Sequence, residues 1–236
     1  MRKRTKATIV VVICVLGLGS AVAIAGPIVY RDFIAAPAAE TPTLTAEDSA
    51  LEPAASDEAL DAAALSGEWS VAQGSEAGYR VNEVLNGVDV TVTGRTSEVT
   101  GTLTVDGLTL SAAELTVDVA SIATDSSSRD SYFRDDALRV SEHPTATFRL
   151  TEPVSADALP ASGETVELEL TGELTLAGVS QTVTFTVQAR TDGTAAEIAG
   201  QIPVVFADYG VAAPKLGFVS VEDTGYVEFQ IVARRA

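Results

Sequence analysis

The sequence predicts an all-β domain of antiparallel strands that follows an N-terminal apolar segment. Three observations support this prediction: apolar and polar residues alternate along most of the chain after Gly67, glycine-containing pairs separate the alternating runs, and a helical pattern is confined to 129–138. A period of two is typical of strands with one buried face. The 236 residues are 46% hydrophobic and 6% aromatic, which is enough for one sizeable core.

The first element is a basic segment at 1–6 followed by an almost uninterrupted apolar run at 7–30. About 20 apolar residues span a bilayer, and the positive charges before the run predict a cytoplasmic N-terminus. We therefore expect an uncleaved transmembrane signal-anchor at 7–30 and a single-pass protein of the cell membrane whose C-terminal domain is extracytoplasmic. The alternative is a protein secreted after cleavage near Ala25, where the sequence Ala-Ile-Ala resembles a signal-peptide site.

The second element, at 31–66, is rich in Ala, Pro, Thr and acidic residues and predicts a disordered or partly helical linker. A flexible chain of about 36 residues has a root-mean-square span of roughly 30 to 35 Å. Beyond the four N-terminal positive charges, the chain carries 11 basic and 33 acidic residues, a net charge of −22. This charge excludes nucleic acid as a partner and opposes adhesion to an anionic lipid surface.

The third element, at 67–236, contains about eight to ten runs of alternating residues, such as 88–92, 183–187 and 227–231. Short turns between runs require antiparallel neighbours, and the predicted turns are Asn86-Gly87, Asp106-Gly107, Ala177-Gly178 and Asp192-Gly193. A β-sandwich and a closed β-barrel both fit this pattern. Periodicity also does not distinguish a barrel filled by side chains from a hollow one.

Few residues are candidates for catalysis or metal binding. One Cys and one His exclude an intrachain disulfide and the usual Cys/His zinc sites, so no metal or cofactor is expected. His143 precedes Pro144 without a Gly-x-Ser-x-Gly motif, which favours a pre-proline turn over a hydrolase site. The charges between Arg129 and Arg139 predict a helix surface, with a phosphate contact as the alternative.

Eight short segments occur in order between residues 67 and 235 and together resemble one family. They are Gly67-Glu68-Trp69, Gly78-Tyr79-Arg80-Val81, Gly94-Arg95-Thr96 with Val99-Thr100-Gly101, Val117-Asp118-Val119-Ala120-Ser121-Ile122, Arg129-Asp130, His143-Pro144-Thr145-Ala146-Thr147-Phe148, Thr171-Gly172-Glu173-Leu174-Thr175-Leu176-Ala177-Gly178-Val179 and Asp208-Tyr209-Gly210-Val211. In this combination the chain resembles the YceI-like family, exported bacterial β-barrel proteins that bind polyisoprenoid lipids.

The resemblance implies a single extended, lipocalin-like antiparallel barrel of about eight strands with one short helix. Its apolar lumen would hold a long isoprenoid chain, with no catalytic residues. The candidate lumen residues are Trp69, Tyr79, Val81, Leu103, Val117, Phe133, Phe148, Leu170, Phe185 and Phe229. Two departures from the family, Asn82-Glu83 where many members carry a His and Phe206 where many carry a basic residue, imply a less anionic head group such as a quinone ring.

The expected function is therefore that of a membrane-tethered lipid-binding protein, not an enzyme, which transports or stores an isoprenoid quinone or polyprenyl lipid. The expected partners are this lipid and the membrane, with a homodimer as an open possibility. The alternative is an exported structural or protein-interaction domain whose barrel is filled, since a fold does not fix a function.

Overall fold

The structure is a computed structural model that describes residues 37–44, 60–85 and 87–236. The basic segment at 1–6, the transmembrane segment predicted at 7–30 and the rest of the linker lie outside these residues. Among the described residues, no helix has both the length and the apolar character needed to cross a membrane.

The described residues form twelve strands and two short α-helices. In chain order they are α1 (Ala62–Leu65), β1 (Gly67–Val71), β2 (Glu76–Leu85), β3 (Val88–Thr96), β4 (Val99–Asp106), β5 (Thr109–Asp118), α2 (Ser127–Tyr132), β6 (Thr145–Leu150), β7 (Val154–Ser155), β8 (Val166–Leu176), β9 (Val179–Thr191), β10 (Ala195–Val205), β11 (Lys215–Leu216) and β12 (Val219–Arg235). Short 3₁₀ turns occupy Val119–Ser121 and Phe206–Tyr209, and a π-helical turn at Phe133–Ala137 extends α2.

The sheet closes into a barrel with eight strand positions, all of them antiparallel. Strands β1 and β2 act as one bent strand, because both pair with β12 on one side while their other edges pair with β4 and β3. The order around the barrel is then β1/β2, β3/β4, β5, β6, β8, β9, β10 and β12, which returns to β1. This closure decides between the sandwich and the barrel, and it confirms the predicted eight-strand antiparallel barrel.

The predicted turns fall where the chain reverses. Gly87, Gly107, Gly178 and Gly193 have φ angles of 82°, 60°, 78° and 88°. Glycine adopts this left-handed backbone conformation without the steric strain that a Cβ causes. The positions of these hairpin turns were therefore predictable from the sequence.

Three aromatic rings fill the middle of the barrel, and we call them the phenylalanine layer: Phe148, Phe185 and Phe229. Ring centroids lie 5.4 Å apart for Phe148 and Phe185 and 6.0 Å apart for Phe185 and Phe229, both in edge-to-face contact. A Cβ on Gly172 would lie 2.4 Å from the Phe148 ring, and one on Gly200 would lie 2.9 Å from the Phe229 ring. These glycines of the inward face therefore leave room for the rings.

Helix α2 starts earlier than the sequence pattern indicates. The Ser126 hydroxyl accepts a hydrogen bond from the Arg129 N–H, which caps the helix two residues before the predicted start at 129. The end is set by a π-type bond from Leu138 N–H to the Phe133 carbonyl. Ser, Asp and Arg dominate the first turn, so apolar periodicity gave no signal there.

Residues 37–44 lie against the outside of the barrel, and we call this segment the strap. The Ala39 N–H donates to Thr93 Oγ1 at 3.0 Å, and the Ala39 carbonyl accepts from Arg80 Nη2 at 2.5 Å. At its other end, the Leu44 N–H donates to Gln188 Oε1 at 3.0 Å. The linker, predicted over 31–66 as disordered or partly helical, thus contains a docked segment and the short helix α1.

Candidate ligand cavity

One half of the barrel encloses a cavity of about 560 Å³, which we call the main cavity. Its walls come from β2, the end of β10, the first part of β12, helix α2 with its π-helical turn, and the loop between β10 and β12. Nearly all of the lining side chains are apolar. A concave apolar site with a few polar groups is typical of small-molecule binding.

The interior is not continuous along the barrel. A lower cavity of about 140 Å³ lies at the other end, where Leu65 of α1 and Trp69 of β1 form part of its lining. Along β8, Leu168 lines the lower cavity and Leu176 the main cavity, whereas the intervening inward residues Leu170 and Leu174 are buried in the core. The phenylalanine layer lies at the same level of the barrel as Leu170 and Leu174, so it separates the two cavities.

The ten candidate lumen residues therefore divide into three groups. Tyr79, Val81, Val117 and Phe133 line the main cavity. Trp69 and Leu103 line the lower cavity. Phe148, Leu170, Phe185 and Phe229 face the interior but fill it, which corrects the expectation that they line an open lumen.

An ion pair lies in the otherwise apolar wall of the main cavity. Arg129 of α2 donates from Nη2 to Glu83 Oε1 of β2 at 3.0 Å and from Nη1 to Asp125 Oδ1 at 2.7 Å. Glu83 is buried, with 6% of its surface exposed. Partial burial of Arg129 disfavours its charge, but the carboxylates of Glu83 and Asp125 outweigh this effect and raise the pKa of Arg129 above its ordinary value.

Arg129 was expected on a charged helix surface, and that expectation is wrong for this residue, because its side chain turns towards the barrel and pairs with Glu83. The sequence did carry a signal for the partner. Glu83 falls on the same phase of β2 as the cavity residues Ala77, Tyr79 and Val81, so it is a carboxylate on an apolar face.

A stacked aromatic pair forms the wall next to this ion pair. The rings of Tyr79 and Phe133 lie 4.7 Å apart at 17°. Gly94 of β3 accommodates the phenol ring, since a Cβ there would lie 2.5 Å from Tyr79 Cε1. Burial raises the pKa of Tyr79 well above its ordinary value, so its phenol is neutral at physiological pH.

Phe206, the second position at which the chain departs from the family pattern, also lines the main cavity. Glu83, at the first departure, and Phe206, at the second, thus line the same cavity. The sequence comparison identified the two positions, but only the barrel geometry brings them together.

The His143 ring makes no hydrogen bond to a serine hydroxyl among the described residues. Its ring packs over Gly178, where a Cβ would lie 2.4 Å from His143 Cε1, and its Nε2 lies 3.9 Å from Glu142 Oε2. Its backbone N–H donates to the Arg139 carbonyl at 3.0 Å. This geometry fits the structural pre-proline role. Over the described ranges, no three His, Cys, Asp or Glu residues are grouped in a way that would hold a metal ion.

The closed sheet and its apolar cavity place this chain in the class of hollow antiparallel β-barrels. The YceI-like domain matches residues 69–233, and the chain belongs to this family.

Solved structures support the fold. A polyisoprenoid binding domain from Saccharophagus degradans, implicated in plant cell wall breakdown, is 19% identical with a TM-score of 0.57, over 71% of this chain and 98% of that domain. BcnA of Burkholderia cenocepacia is 22% identical with a TM-score of 0.51, over 65% of this chain and 95% of that protein. A UPF0312 protein of Pseudomonas aeruginosa is 37% identical over 95 residues, a match that spans 39% of this chain and 46% of the relative.

Proposed function

We propose that this protein binds an isoprenoid lipid whose tail occupies the main cavity. The observation that carries the proposal is the cavity itself, about 560 Å³ of apolar-lined space inside a closed barrel. The Saccharophagus degradans protein with this fold is described as polyisoprenoid-binding. The alternative of a filled barrel describes the phenylalanine layer but leaves the main cavity without a role.

The cavity volume limits the length of tail that it holds. At roughly 30 Å³ for each water-sized group, the main cavity accommodates on the order of 20 carbon atoms, or about four five-carbon units. Burying these groups is favourable by on the order of 15 kcal/mol relative to water, at about 0.8 kcal/mol for each CH₂. A bilayer offers the same gain, so exchange with a membrane is nearly balanced and release into water is strongly opposed.

The polar groups in the cavity wall favour a neutral head group. An incoming phosphate would meet the two carboxylates of Glu83 and Asp125 against the single guanidinium of Arg129, and it would contact Phe206. A neutral carbonyl needs only a donor, and Arg129 has further N–H groups. We therefore favour an isoprenoid quinone over a polyprenyl phosphate.

We further propose that the protein is tethered to the membrane by residues 7–30 and carries or stores its lipid on the extracytoplasmic side, without catalysis. The long apolar run after a basic cluster supports this part of the proposal.

Organic extraction of the purified full chain, followed by mass spectrometry, tests the proposed ligand. We expect a copurified neutral isoprenoid lipid. A chain that purifies without any lipid, and that takes up no isoprenoid quinone from mixed micelles, would refute the proposal.

A pair of variants ties bound lipid to the main cavity. Val81→Trp places a large ring in the main cavity, and we expect it to reduce the amount of copurified lipid at least tenfold. Val84→Trp adds the same ring on the exposed side of the same strand, where 38% of the Val84 surface is exposed, and should leave the lipid content unchanged. Equal lipid content in both variants would place the ligand elsewhere.

A further inference from the structure

The loop between β10 and β12 carries an unusual concentration of exposed apolar side chains. We call residues 211–219 the apolar hairpin; its sequence is Val-Ala-Ala-Pro-Lys-Leu-Gly-Phe-Val, with one charged residue. Leu216 and Phe218 are 55% and 59% exposed, the highest values among the large hydrophobic residues of the described chain. Phe218 occupies the two-residue turn between β11 and β12, a position at which polar residues and glycine prevail.

The apolar hairpin forms one rim of the main cavity. Leu216 and Phe218 line the cavity even though most of their surface faces outward. Helix α2 lines the same cavity and contacts the hairpin, where the Tyr132 hydroxyl donates to the Ala212 carbonyl at 3.5 Å. Because Leu216 and Phe218 both line the cavity and are exposed, apolar surface is continuous from the cavity wall to the outside of the protein.

The strap runs along the outside of the barrel from the half with the main cavity towards the half with the lower cavity. Its first contacts, Thr93 and Arg80, are paired residues of β3 and β2, and the neighbours of Arg80 line the main cavity. Its last contact, Gln188, adjoins Ala189, which lines the lower cavity. The chain thus passes from the main-cavity half to the lower half between residues 39 and 44.

The charges around the rim oppose anionic lipids. Lys215 is paired with Asp223, whose Oδ1 lies 3.0 Å from its Nζ. Glu222, Asp135 and Asp136 add exposed carboxylates nearby, and Arg134 and Arg139 offset two of these charges, so the rim has no net positive charge that would attract an anionic lipid. A neutral, zwitterionic bilayer surface therefore suits this end of the protein.

We propose that the apolar hairpin inserts into the surface of a zwitterionic bilayer, so that the rim of the main cavity opens into the acyl region. The inference rests on the proposed function, because a lipid tail that passes directly between bilayer and cavity never contacts water. Leu216 and Phe218 are the anchors, since burial of each side chain favours the membrane.

Depth-dependent quenching tests the insertion directly. The full chain carries Cys14→Ser, so that a single new cysteine takes an environment-sensitive dye, either in Phe218→Cys or in the matched control Val205→Cys. Val205 is 45% exposed but is not part of the cavity lining. In phosphatidylcholine vesicles that contain spin-labelled phospholipid, we expect strong quenching at position 218 and little at 205. Equal quenching at the two positions would overturn the proposal.

A transfer assay separates the hairpin from the ligand site. The double variant Leu216→Ser, Phe218→Ser should slow lipid transfer between phosphatidylcholine vesicles at least tenfold when the rate is expressed per molecule of bound lipid, a normalisation that is needed because both residues also line the main cavity. An unchanged transfer rate would overturn the docking proposal and leave the proposed function standing. Absence of lipid from the wild-type protein would refute the proposed function, whereas quenching at position 218 still reports docking.

The other occupant to distinguish is a second copy of this chain. If the double variant sediments as a monomer where the wild type sediments as a dimer, and position 218 is not quenched, the apolar hairpin is a protein interface and the proposal is overturned.

Discussion

At the scale of single residues, a buried polar group without a partner lowers the stability of the folded barrel. Only 3% of Tyr209 is exposed, and its buried hydroxyl has no hydrogen-bond partner among the described residues. Burial raises the pKa of Tyr209, in keeping with a poorly solvated phenol. A buried polar group without a partner costs about 1–3 kcal/mol.

Tyr209→Phe should therefore stabilise the protein. We expect the free energy of unfolding, measured by urea denaturation, to rise by about 1 kcal/mol because the unpaired hydroxyl is removed without changing the ring. Tyr226→Phe is the control, since Tyr226 is 42% exposed and its substitution should change the free energy of unfolding little. A loss of stability in Tyr209→Phe would show that the hydroxyl has a partner in solution.

Tyr79 makes the stability depend on alkaline pH. Its pKa is raised in the folded state from an ordinary value of 10.0, chiefly by burial. The neutral phenol therefore contributes fully below about pH 10. Above that value the unfolded chain loses its proton while the folded chain keeps it, so stability falls. We expect the free energy of unfolding to fall less steeply between pH 9 and 11 in Tyr79→Phe than in wild type; equal slopes would contradict the assignment.

At the scale of elements, the strap and the barrel are joined through a buried carboxylate. Glu228 of β12 is completely buried although it lies on the outer side of the strand. It accepts hydrogen bonds from Arg80 Nε at 2.6 Å, from Arg95 and from the Gln201 amide. Arg80 also donates to the strap carbonyl of Ala39, so the network connects the strap to four strands, β2, β3, β10 and β12.

Glu228→Gln should destabilise the protein by about 3 kcal/mol, because two guanidinium groups lose their counter-charge in a mostly buried setting. The same change should increase hydrogen exchange at the Ala39 amide. The control is Glu173→Gln, which breaks an exposed pair with Arg149 at 3.6 Å and should cost less than about 1 kcal/mol. Similar losses in both variants would rule out a structural role for the buried network.

The phenylalanine layer sets the tail length that the barrel accepts. Phe229→Ala should connect the two cavities, so that mass spectrometry of extracted ligand detects longer isoprenoid tails than in wild type. The cavity should also lower the free energy of unfolding by about 3–5 kcal/mol. Phe229→Leu retains most of the volume and should keep the wild-type chain length. Identical tails in Phe229→Ala and wild type would show that the layer does not limit the ligand.

At the scale of the whole molecule, the strands and turns were predictable because their signals are local, whereas the choice of a closed barrel over a sandwich came from the family resemblance. Period-two alternation and glycines such as Gly107 and Gly178 determine strands and turns one hairpin at a time. The division of the interior was not predictable, because Phe185 and Val81 occupy equivalent inward positions although the first fills the barrel and the second lines a cavity. The strap was also missed, because the backbone of Ala39 and Leu44 makes its contacts and backbone groups leave no sequence pattern.

The proposed tether predicts a concentration effect. Replacing the segment at 7–30 by a cleavable signal should slow lipid exchange between vesicle populations at low protein concentration, because the net charge of −22 beyond the N-terminal cluster opposes spontaneous adhesion of the freed barrel. Restoring the rate by raising the protein concentration is the control. An exchange rate that is the same with and without the tether would remove its role.

The strap also shortens the segment of chain that would connect the proposed transmembrane helix to the barrel. Its first hydrogen bond to the barrel is made by Ala39, nine residues after Tyr30, where the proposed transmembrane segment ends. Nine peptide links extend to at most about 32 Å, whereas a linker of about 36 residues could extend to roughly 130 Å. Under the proposed tether, the docked strap would therefore hold the barrel close to the membrane that anchors it.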